Sequence, residues 1–321
     1  MNRSKVLVTG ANGFIGAALC QKMLEGGWSV VGANRNESSV AQRPFEYKSV
    51  KIDLLDPDSH WKAVLENVDT IVHLAARVHV LNETAPDAIA AYRQINVAGT
   101  LNLIRAAESA GVRRFIYMST VKVNGEGKPD PYTEQDRPRP KGPYAVSKYE
   151  TEQELHERNN KTDLELVVLR PPLVYGPQVK ANFLQLLRVV DKGIPLPLAN
   201  VKNRRSMIFL GNLIDAILVC IQHPSAAGKT YLVSDDQDMS TPELLQKTAA
   251  WLGKSLRLFP FPIPLLRLIA KPVGKSDAVK GLLDSLCVDI SKIRAELNWK
   301  PRFTMEEGLH QTAKWYRAEF G

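Results

Sequence analysis

The sequence has few cysteines and no long uninterrupted apolar run, and each shortage excludes a class of protein. Its three cysteines, Cys20, Cys220 and Cys287, stand singly in apolar surroundings, without the spacing of a metal site or a disulfide framework. We therefore expect reduced core residues in a cytoplasmic protein. The longest apolar stretch, residues 256–270, is interrupted by prolines and arginines. It is too broken to span a membrane, so no membrane insertion is expected.

Clustered charge is also missing, and the first residues do not lead us to expect an apolar leader. Lysine and arginine exceed the acids enough for a formal net charge of +8, but they are dispersed and form no long basic run. This balance favours anionic small ligands and argues against nucleic acid as a partner. The chain begins with Arg3 and Lys5 followed at once by a strand pattern, without a signal core. Its composition, 44% hydrophobic and 24% charged, is typical of a soluble globular protein.

The strongest pattern lies in the first sixteen residues. The apolar run 6–8 predicts a buried strand, and glycines follow it at positions 10, 13 and 16 before apolar residues at helical spacing. A strand, a glycine turn and a helix N-terminus can hold a diphosphate with backbone N–H groups. An ordinary strand-turn-helix is the alternative, which the flanking elements make less favoured. The expected cofactor contacts here are Gly10, Asn12, Gly13, Phe14, Ile15 and Gly16.

Strands and helices alternate along the following residues. Strand patterns at 29–32, 50–54, 69–76 and 114–118, with a long helix at 87–110, predict an α/β protein with a doubly wound, Rossmann-type parallel sheet. The small residues that end the fourth strand would let a dinucleotide lie across the strand ends. Further cofactor contacts are expected at Asp53, Leu54, Leu74, Ala75, Ala76 and Asn96.

The end of the second strand lacks the acidic residue that binds the adenosine ribose of NAD. Asn34 and Arg35 stand there instead. A guanidinium can pair with a 2′-phosphate, whereas a carboxylate would repel it. The sequence therefore favours NADP(H), and NAD stays possible because Arg35 could also be a solvated loop charge.

Tyr144 and Lys148 form the candidate catalytic pair. They are four residues apart on a helix that begins near Pro143, so both side chains can point at one place. The neighbouring ammonium, together with the positive charge of an oxidised nicotinamide, is expected to bring the pKa of the phenol towards the working range. The ammonium is also expected to bind the nicotinamide ribose. The Thr120 hydroxyl, after the fifth strand, can share the proton of the substrate oxygen. Tyr144 and Lys148 count among both catalytic and cofactor-binding residues.

Two histidines and an arginine lie along or beyond the fourth strand. His73, inside the strand, is interpreted as a core histidine rather than a catalyst. Arg77 and His79 follow the strand end and are candidates for substrate contact.

The chain resembles the extended short-chain dehydrogenase/reductases that modify nucleotide sugars. The resemblance rests on TGANGFIG, IDL, HLAA, NVAGT, MST, YAVSK, RPPLVYGP and DISKIRAELNW. It implies catalytic roles for Tyr144, Lys148 and Thr120. By position it also implies that Arg205 pairs with the diphosphate of the sugar nucleotide and that Asn182 and Phe183 contact the nucleotide; Lys122 is a further substrate candidate. The dinucleotide-binding domain would span 1–172, and 173–321 would form mainly a smaller α/β substrate lobe, interleaved with returning strands.

Departures from the family pattern narrow the predicted reaction. Val121 and Lys122 stand where the 4,6-dehydratases carry an acidic pair, and Leu173 replaces an asparagine that contacts substrate. The similarity is greatest to 4-ketoreductases that act on a UDP-4-keto-6-deoxy-N-acetylhexosamine for bacterial surface polysaccharide, which is the leading prediction. A UDP-hexose 4-epimerase is the alternative. A non-catalytic NADP-sensing protein is a third, disfavoured because the tyrosine and lysine are both present. A homodimer through the helices at 87–110 and 144–159 is also expected.

Overall fold

A seven-stranded parallel sheet lies at the centre of the computed structural model, which describes residues 4–35, 47–56, 61–78, 87–270 and 276–321. The strands run in the order β3-β2-β1-β4-β5-β6-β9, and each neighbouring pair is parallel. They are β1 (Lys5–Thr9), β2 (Ser29–Asn34), β3 (Lys48–Lys51), β4 (Val68–His73), β5 (Arg114–Met118), β6 (Glu165–Arg170) and β9 (Lys229–Leu232). Strands β7 (Leu173–Tyr175) and β8 (Met207–Phe209) form a separate parallel pair.

Twelve helices are described around these sheets. They are α1 (Phe14–Glu25), α2 (Trp61–Val64), α3 (Ala88–Arg93), α4 (Gly99–Ser109), α5 (Gly142–Asn159), α6 (Ala181–Asp191), α7 (Leu210–Gln222), α8 (Thr241–Leu252), α9 (Ile263–Ala270), α10 (Ser276–Leu283), α11 (Ser291–Leu297) and α12 (Met305–Phe320). None of the described helices is long and apolar enough to cross a membrane.

The first strand is buried on both faces, as its apolar run predicts. Val6 and Val8 pack into one hydrophobic cluster with Leu19 of α1, whereas Leu7 packs into a second cluster with Phe115. Side chains of a strand alternate between faces, so covering both requires helices on both sides of the sheet. The doubly wound Rossmann-type fold is confirmed. Strand order reverses at β1, whose neighbours are β2 and β4, and ligands of such sheets bind at this switch point.

Several predicted elements differ from the structure. Strand β2, predicted at 29–32, extends to Asn34. Strand β3 ends at Lys51, and the carboxylate of Asp53 accepts the Leu55 N–H at 2.9 Å in a local turn. Strand β4 ends at His73 rather than at position 76, because the next two N–H groups bond a side chain and not a neighbouring strand. The predicted helix at 87–110 contains a π-helical segment, Gln94–Ala98, between α3 and α4.

The later part of the chain contributes to both sheets. Strand β9 pairs with β6 in the main sheet, whereas β7 and β8 border a third hydrophobic cluster that includes Phe183, Leu245 and Leu309. The domain division at 172/173 stays a prediction. All three cysteines lie in the described part of the chain, and each is buried.

Candidate active site

The glycine turn between β1 and α1 is shaped for close backbone approach. Gly10 has φ +66°, and a Cβ there would lie 3.0 Å from the Ala75 nitrogen. A Cβ on Gly16 would lie 2.2 Å from the Gly10 oxygen. The N-cap of α1 is Gly13, which has no side chain to occupy the helix end. The first N–H groups of a helix lack intrahelical partners and favour an anion, so this turn fits the diphosphate of a dinucleotide.

Asn34 is occupied in holding that turn. Its side chain is 6% exposed; Oδ1 accepts the Asn12 N–H at 2.8 Å, and Nδ2 donates to the Ser49 hydroxyl at 3.3 Å. The amide thereby joins the glycine turn to β3. Arg35, the next residue, is exposed just past the end of β2. Of the two residues predicted to read the ribose, only Arg35 presents its side chain to solvent.

A buried histidine connects the glycine turn to the π-helical segment. Thr100 donates its hydroxyl to the Asn96 oxygen at 2.7 Å, so His73 Nε2, 2.9 Å from that hydroxyl, is the donor to it. His73 Nδ1 then accepts from Thr9 at 2.7 Å, while Thr9 Oγ1 accepts the N–H groups of Leu74 and Ala75. Burial lowers the pKa of His73 to about 3. The interpretation of His73 as a neutral core histidine agrees with these bonds.

Asn96 extends the same network to α5. Its side chain closes a two-way bond with the backbone of Arg77, through Oδ1 at 2.8 Å and Nδ2 at 3.1 Å, and Nδ2 also donates to Ser147 at 2.9 Å. The Thr151 hydroxyl lies 3.0 Å from the Asn96 oxygen. Asn96, predicted as a cofactor contact, is 1% exposed. Its polar atoms bond to α5 and to the segment after β4, and so position both.

Tyr144 and Lys148 lie on the first two turns of α5, whose early Pro143 fits a helix start. Lys148 is 3% exposed; its Nζ donates to the Met118 oxygen at 2.8 Å and lies 4.5 Å from the centre of the Tyr117 ring. Thr120, two residues past Met118, is 9% exposed, and its hydroxyl accepts the Lys122 N–H at 3.3 Å. The end of β5 thus meets α5 where Lys148 binds.

Burial shifts the pKa of both members of the pair in the protein without cofactor. Burial, with a smaller effect of Tyr92, raises the pKa of Tyr144 above its ordinary value. Within the protein itself desolvation outweighs any stabilisation of the phenolate by Lys148, so Tyr144 is a neutral phenol at neutral pH. Burial lowers the pKa of Lys148 to about 7, and the nearby Glu152 partly opposes this.

Arg77 reaches Tyr144 through one intervening ring. Its guanidinium carbon lies 5.3 Å from the centre of the Tyr92 ring, which packs edge-on against Tyr144 with ring centres 6.2 Å apart. Lys122 is exposed beyond Thr120. His79 lies outside the described residues. Arg77 is therefore positioned near the candidate catalytic phenol.

Arg205 belongs to a second region, built from distant segments. Its half-buried guanidinium donates to the Asp284 oxygen at 2.8 Å, and burial lowers the pKa of Arg205. Asn203, 4% exposed, donates to the Leu282 and Asp284 oxygens at 3.1 and 3.2 Å and accepts the Thr241 N–H. Sequence reasoning missed Asn203, since its partners lie more than thirty residues away.

A cavity of about 840 Å³ lies beside this region, between the loop after β5 and the residues that close α10. Its charged lining is mainly basic: Lys128, Arg137, Arg139, Lys141 and Lys280, with Glu126, Asp136 and Asp284. Glu126 and Asp284, which line the cavity, both raise the pKa of Arg205 against the larger effect of burial. Arg205 therefore interacts electrostatically with charges that line the cavity. The region is suited to an anionic ligand.

The remaining predicted substrate residues lie in different surroundings. Asn182 is exposed on the first turn of α6, whereas Phe183 is 1% exposed and stacks on Tyr175 with ring centres 5.5 Å apart. The Phe183 side chain is a core element of the third cluster, which leaves only its backbone for ligand contact. Leu173, on β7, is 41% exposed.

Comparison with known proteins agrees with the fold and the motifs. The NAD dependent epimerase/dehydratase family matches residues 6–234. The chain is 39% identical over 313 residues to the UDP-glucose 4-epimerase of Vibrio cholerae, covering 96% of this chain and 94% of that protein. It is 26% identical over 325 residues to an undecaprenol-diphosphate-linked N-acetylglucosamine 4-epimerase of Escherichia coli O157:H7, covering 97% and 94%.

A solved structure is similar over almost the whole chain. The UDP-glucose 4-epimerase of Thermus thermophilus, in complex with NAD, has a TM-score of 0.79 and 25% identity and covers 98% of this chain and 99% of that one. The family match spans most of the chain and includes the glycine turn, Thr120, Tyr144 and Lys148. The chain belongs to the NAD dependent epimerase/dehydratase family.

Proposed function

We propose that this protein carries out oxidation and reduction at C4 of a nucleotide-activated hexose, using NAD(P). The observation that carries the proposal is the meeting of α5 with the end of β5, where Lys148 Nζ binds the Met118 oxygen two residues before Thr120. Tyr144 exchanges a proton with the O4 atom, and Thr120 donates a hydrogen bond to the same oxygen. When bound, the nicotinamide supplies hydride exchange at C4. Lys148 holds its ribose.

Arg205 and the basic cavity supply the anion-binding side of the same site. Arg205 binds the diphosphate of the sugar nucleotide, with Asp284 fixing the direction of the guanidinium. Arg77, behind Tyr92, and Lys122, beyond Thr120, contact the substrate. Asn182 contributes from the first turn of α6.

Of the two reactions at C4, we propose 4-epimerisation of a UDP-hexose first. Its support is the Vibrio cholerae UDP-glucose 4-epimerase, similar over almost the full length of both chains. Epimerisation retains the cofactor while the ketosugar turns over, so the protein should purify with bound NAD and equilibrate UDP-glucose with UDP-galactose.

Reduction of a UDP-4-keto-6-deoxy-N-acetylhexosamine is the second candidate, and two observations favour it. Arg35 is exposed beside an Asn34 that is neutral, which suits exchangeable NADPH. Burial raises the pKa of Tyr144, and a neutral phenol is ready to donate the proton that ketone reduction requires.

One pair of assays tests the proposal and separates the reactions. The purified protein is offered UDP-glucose or UDP-N-acetylglucosamine without added cofactor, and the sugar nucleotides are separated by chromatography. It is then offered the ketosugar with NADPH, and NADPH absorbance is followed. Formation of the 4-epimer assigns the epimerase, and stoichiometric NADPH oxidation assigns the reductase. Inactivity in both assays, with cofactor bound, contradicts C4 chemistry on UDP-hexoses. The homodimer remains a prediction that sedimentation velocity tests.

A further inference from the structure

Large apolar side chains are exposed on α9 and on two segments that precede it in the chain. Ile194 is 45% exposed, Phe259 41%, Leu265 42% and Leu268 61%. These four residues are called the α9 surface below. The segments that carry them are joined, because the Leu196 N–H donates to the Arg257 oxygen and the Phe259 N–H donates to the Leu196 oxygen. Exposed apolar residues that cluster in this way mark an interaction surface.

The core does not require these side chains. On α9, Ile263 and Leu266 pack against the third hydrophobic cluster, together with Leu256 and Leu258 before the helix. Leu265 and Leu268, three residues apart, lie on the outer face of the same helix. One face of α9 is therefore internal and the other is left apolar towards solvent.

The charge of these segments is of one sign. Residues 253–270 contain three lysines and arginines and no acidic residue, and residues 192–214 also contain no acidic residue. Lys254 and Arg267 pair with Asp191 and Asp284, which belong to other segments. Arg257 and Lys192 are exposed next to the α9 surface. An apolar face with a cationic border is complementary to a bilayer that contains anionic phospholipid, which attracts both features at once.

The backbone before α9 also has a low free-energy cost of removal from water. Prolines at 260, 262 and 264 have no N–H group, and the N–H of Phe259 is already bonded to Leu196. An interfacial segment must take its backbone N–H groups out of bulk water, and unbonded ones oppose insertion. The stretch before α9 therefore carries few unbonded donors into the headgroup region.

We propose that the α9 surface docks the protein peripherally on an anionic phospholipid bilayer. Docking would place the basic cavity close to the membrane, because Arg267 of α9 pairs with Asp284, and Asp284 lines that cavity. The proposal is independent of which reaction occurs at C4.

Vesicle co-sedimentation tests the proposal on the full chain. We expect binding to phosphatidylcholine vesicles that contain phosphatidylglycerol, weaker binding to pure phosphatidylcholine, and release at high salt. The double variant Leu265→Ser/Leu268→Ser should lose roughly tenfold or more in partitioning, given the apolar area removed. Val78→Ser, which removes another exposed apolar side chain (59% exposed) beside Tyr92 of α3, is the matched control and should bind normally.

Charge is tested separately. Arg257→Gln should weaken binding to the anionic vesicles about fivefold, as expected for one interfacial cation, whereas Lys314→Gln on the exposed side of α12 should not. Thermal unfolding confirms that each variant folds; Leu268→Ser alone replaces the double variant if that one unfolds.

Two outcomes would overturn the docking proposal. One is wild-type protein that stays in the supernatant with anionic vesicles, or a double variant that partitions like wild type. The other is a wild-type dimer that dissociates in the double variant while neither protein binds vesicles, which would assign the α9 surface to a second copy of this chain.

Discussion

The two sides of the candidate site are held together by different kinds of interaction. On the cofactor side, the groups are neutral and buried: Thr9, His73, Thr100 and Asn96 form one continuous chain of hydrogen bonds. On the substrate side, Arg205 is bonded to a backbone oxygen beside a cavity with a mainly basic lining. A neutral network fixes shape without a ligand at neutral pH, whereas a cationic region is completed by an anion.

The difference has a practical meaning for function. The neutral network determines where α5 and the glycine turn lie, and so it controls the geometry of the reacting groups. In the proposed function, the cationic region around Arg205 supplies substrate-binding energy at a distance from those groups. Changes to the two sides should therefore have separable effects on turnover, substrate affinity and stability.

The largest expected effect is on turnover. Tyr144→Phe should lower kcat by about 100- to 10,000-fold, the range for a lost general acid, with cofactor affinity nearly unchanged because the ring still packs on Tyr92. Tyr149→Phe on the same helix is the control. Cofactor affinity is measured by fluorescence titration. Wild-type kcat in the Tyr144 variant would remove the phenol from the mechanism.

Substrate affinity should respond next. Arg205→Met should raise the Kd for the sugar nucleotide about 10- to 100-fold through loss of charge-assisted hydrogen bonds, and leave cofactor binding intact. The adjacent Arg204, whose side chain is 74% exposed, offers a matched control in Arg204→Met. Calorimetric titration measures both. Equal losses for the two arginines would mean that general charge, rather than a placed guanidinium, attracts the ligand.

The neutral network predicts a specific acid sensitivity. Burial lowers the pKa of His73 to about 3 from an ordinary 6.5, so between these values the unfolded chain binds one more proton. The contribution of neutral His73 to the free energy of unfolding is fully present above pH 6.5. It is lost as the pH falls towards 3, at about 1.4 kcal/mol per pH unit.

Denaturant unfolding at pH 7 and pH 5 measures this loss, about 2 kcal/mol for this residue. His73→Gln should remove that part of the pH dependence. His310→Gln, at an exposed position, should retain it. A wild-type slope in the His73 variant would assign the sensitivity to other groups.

Cofactor choice carries the smallest expected effect. Arg35→Ala should weaken NADP(H) binding about tenfold through loss of one exposed ion pair to phosphate, with NAD(H) unchanged. The titrations are run side by side at fixed ionic strength. Equal weakening of both cofactors would show that Arg35 does not contact the 2′-phosphate.

The geometry of the glycine turn and of α5 was more predictable from the sequence than the surroundings of Arg205, for a physical reason. The glycine turn and the Tyr144–Lys148 pair are local patterns in which spacing alone sets the geometry. Asn203 joins segments 79 and 81 residues away, and no local pattern announces that. Phe183 was predicted as a ligand contact from position, but the packing of its ring on Tyr175 is a tertiary property.

The burial of the ionisable side chains was also hard to predict from the sequence. The proximity of Lys148 to Tyr144 was predictable, but the extent of burial was not, and burial determines the direction of the pKa shift at Tyr144. Similarly, the order of residues along the chain does not show that the Asn34 side chain bonds the Asn12 N–H while Arg35 is exposed to solvent.

The π-helical segment at 94–98 sets the rotational phase of α3. Its widened turn, in which Gly99 N–H bonds the Gln94 oxygen, adds one residue to the helix. Deleting that residue would turn α3 by about 100° relative to α4. Tyr92 would then leave Tyr144, and Arg93 would leave its ion pair with Glu150 on α5. A single inserted residue thus determines which side of α3 packs against α5.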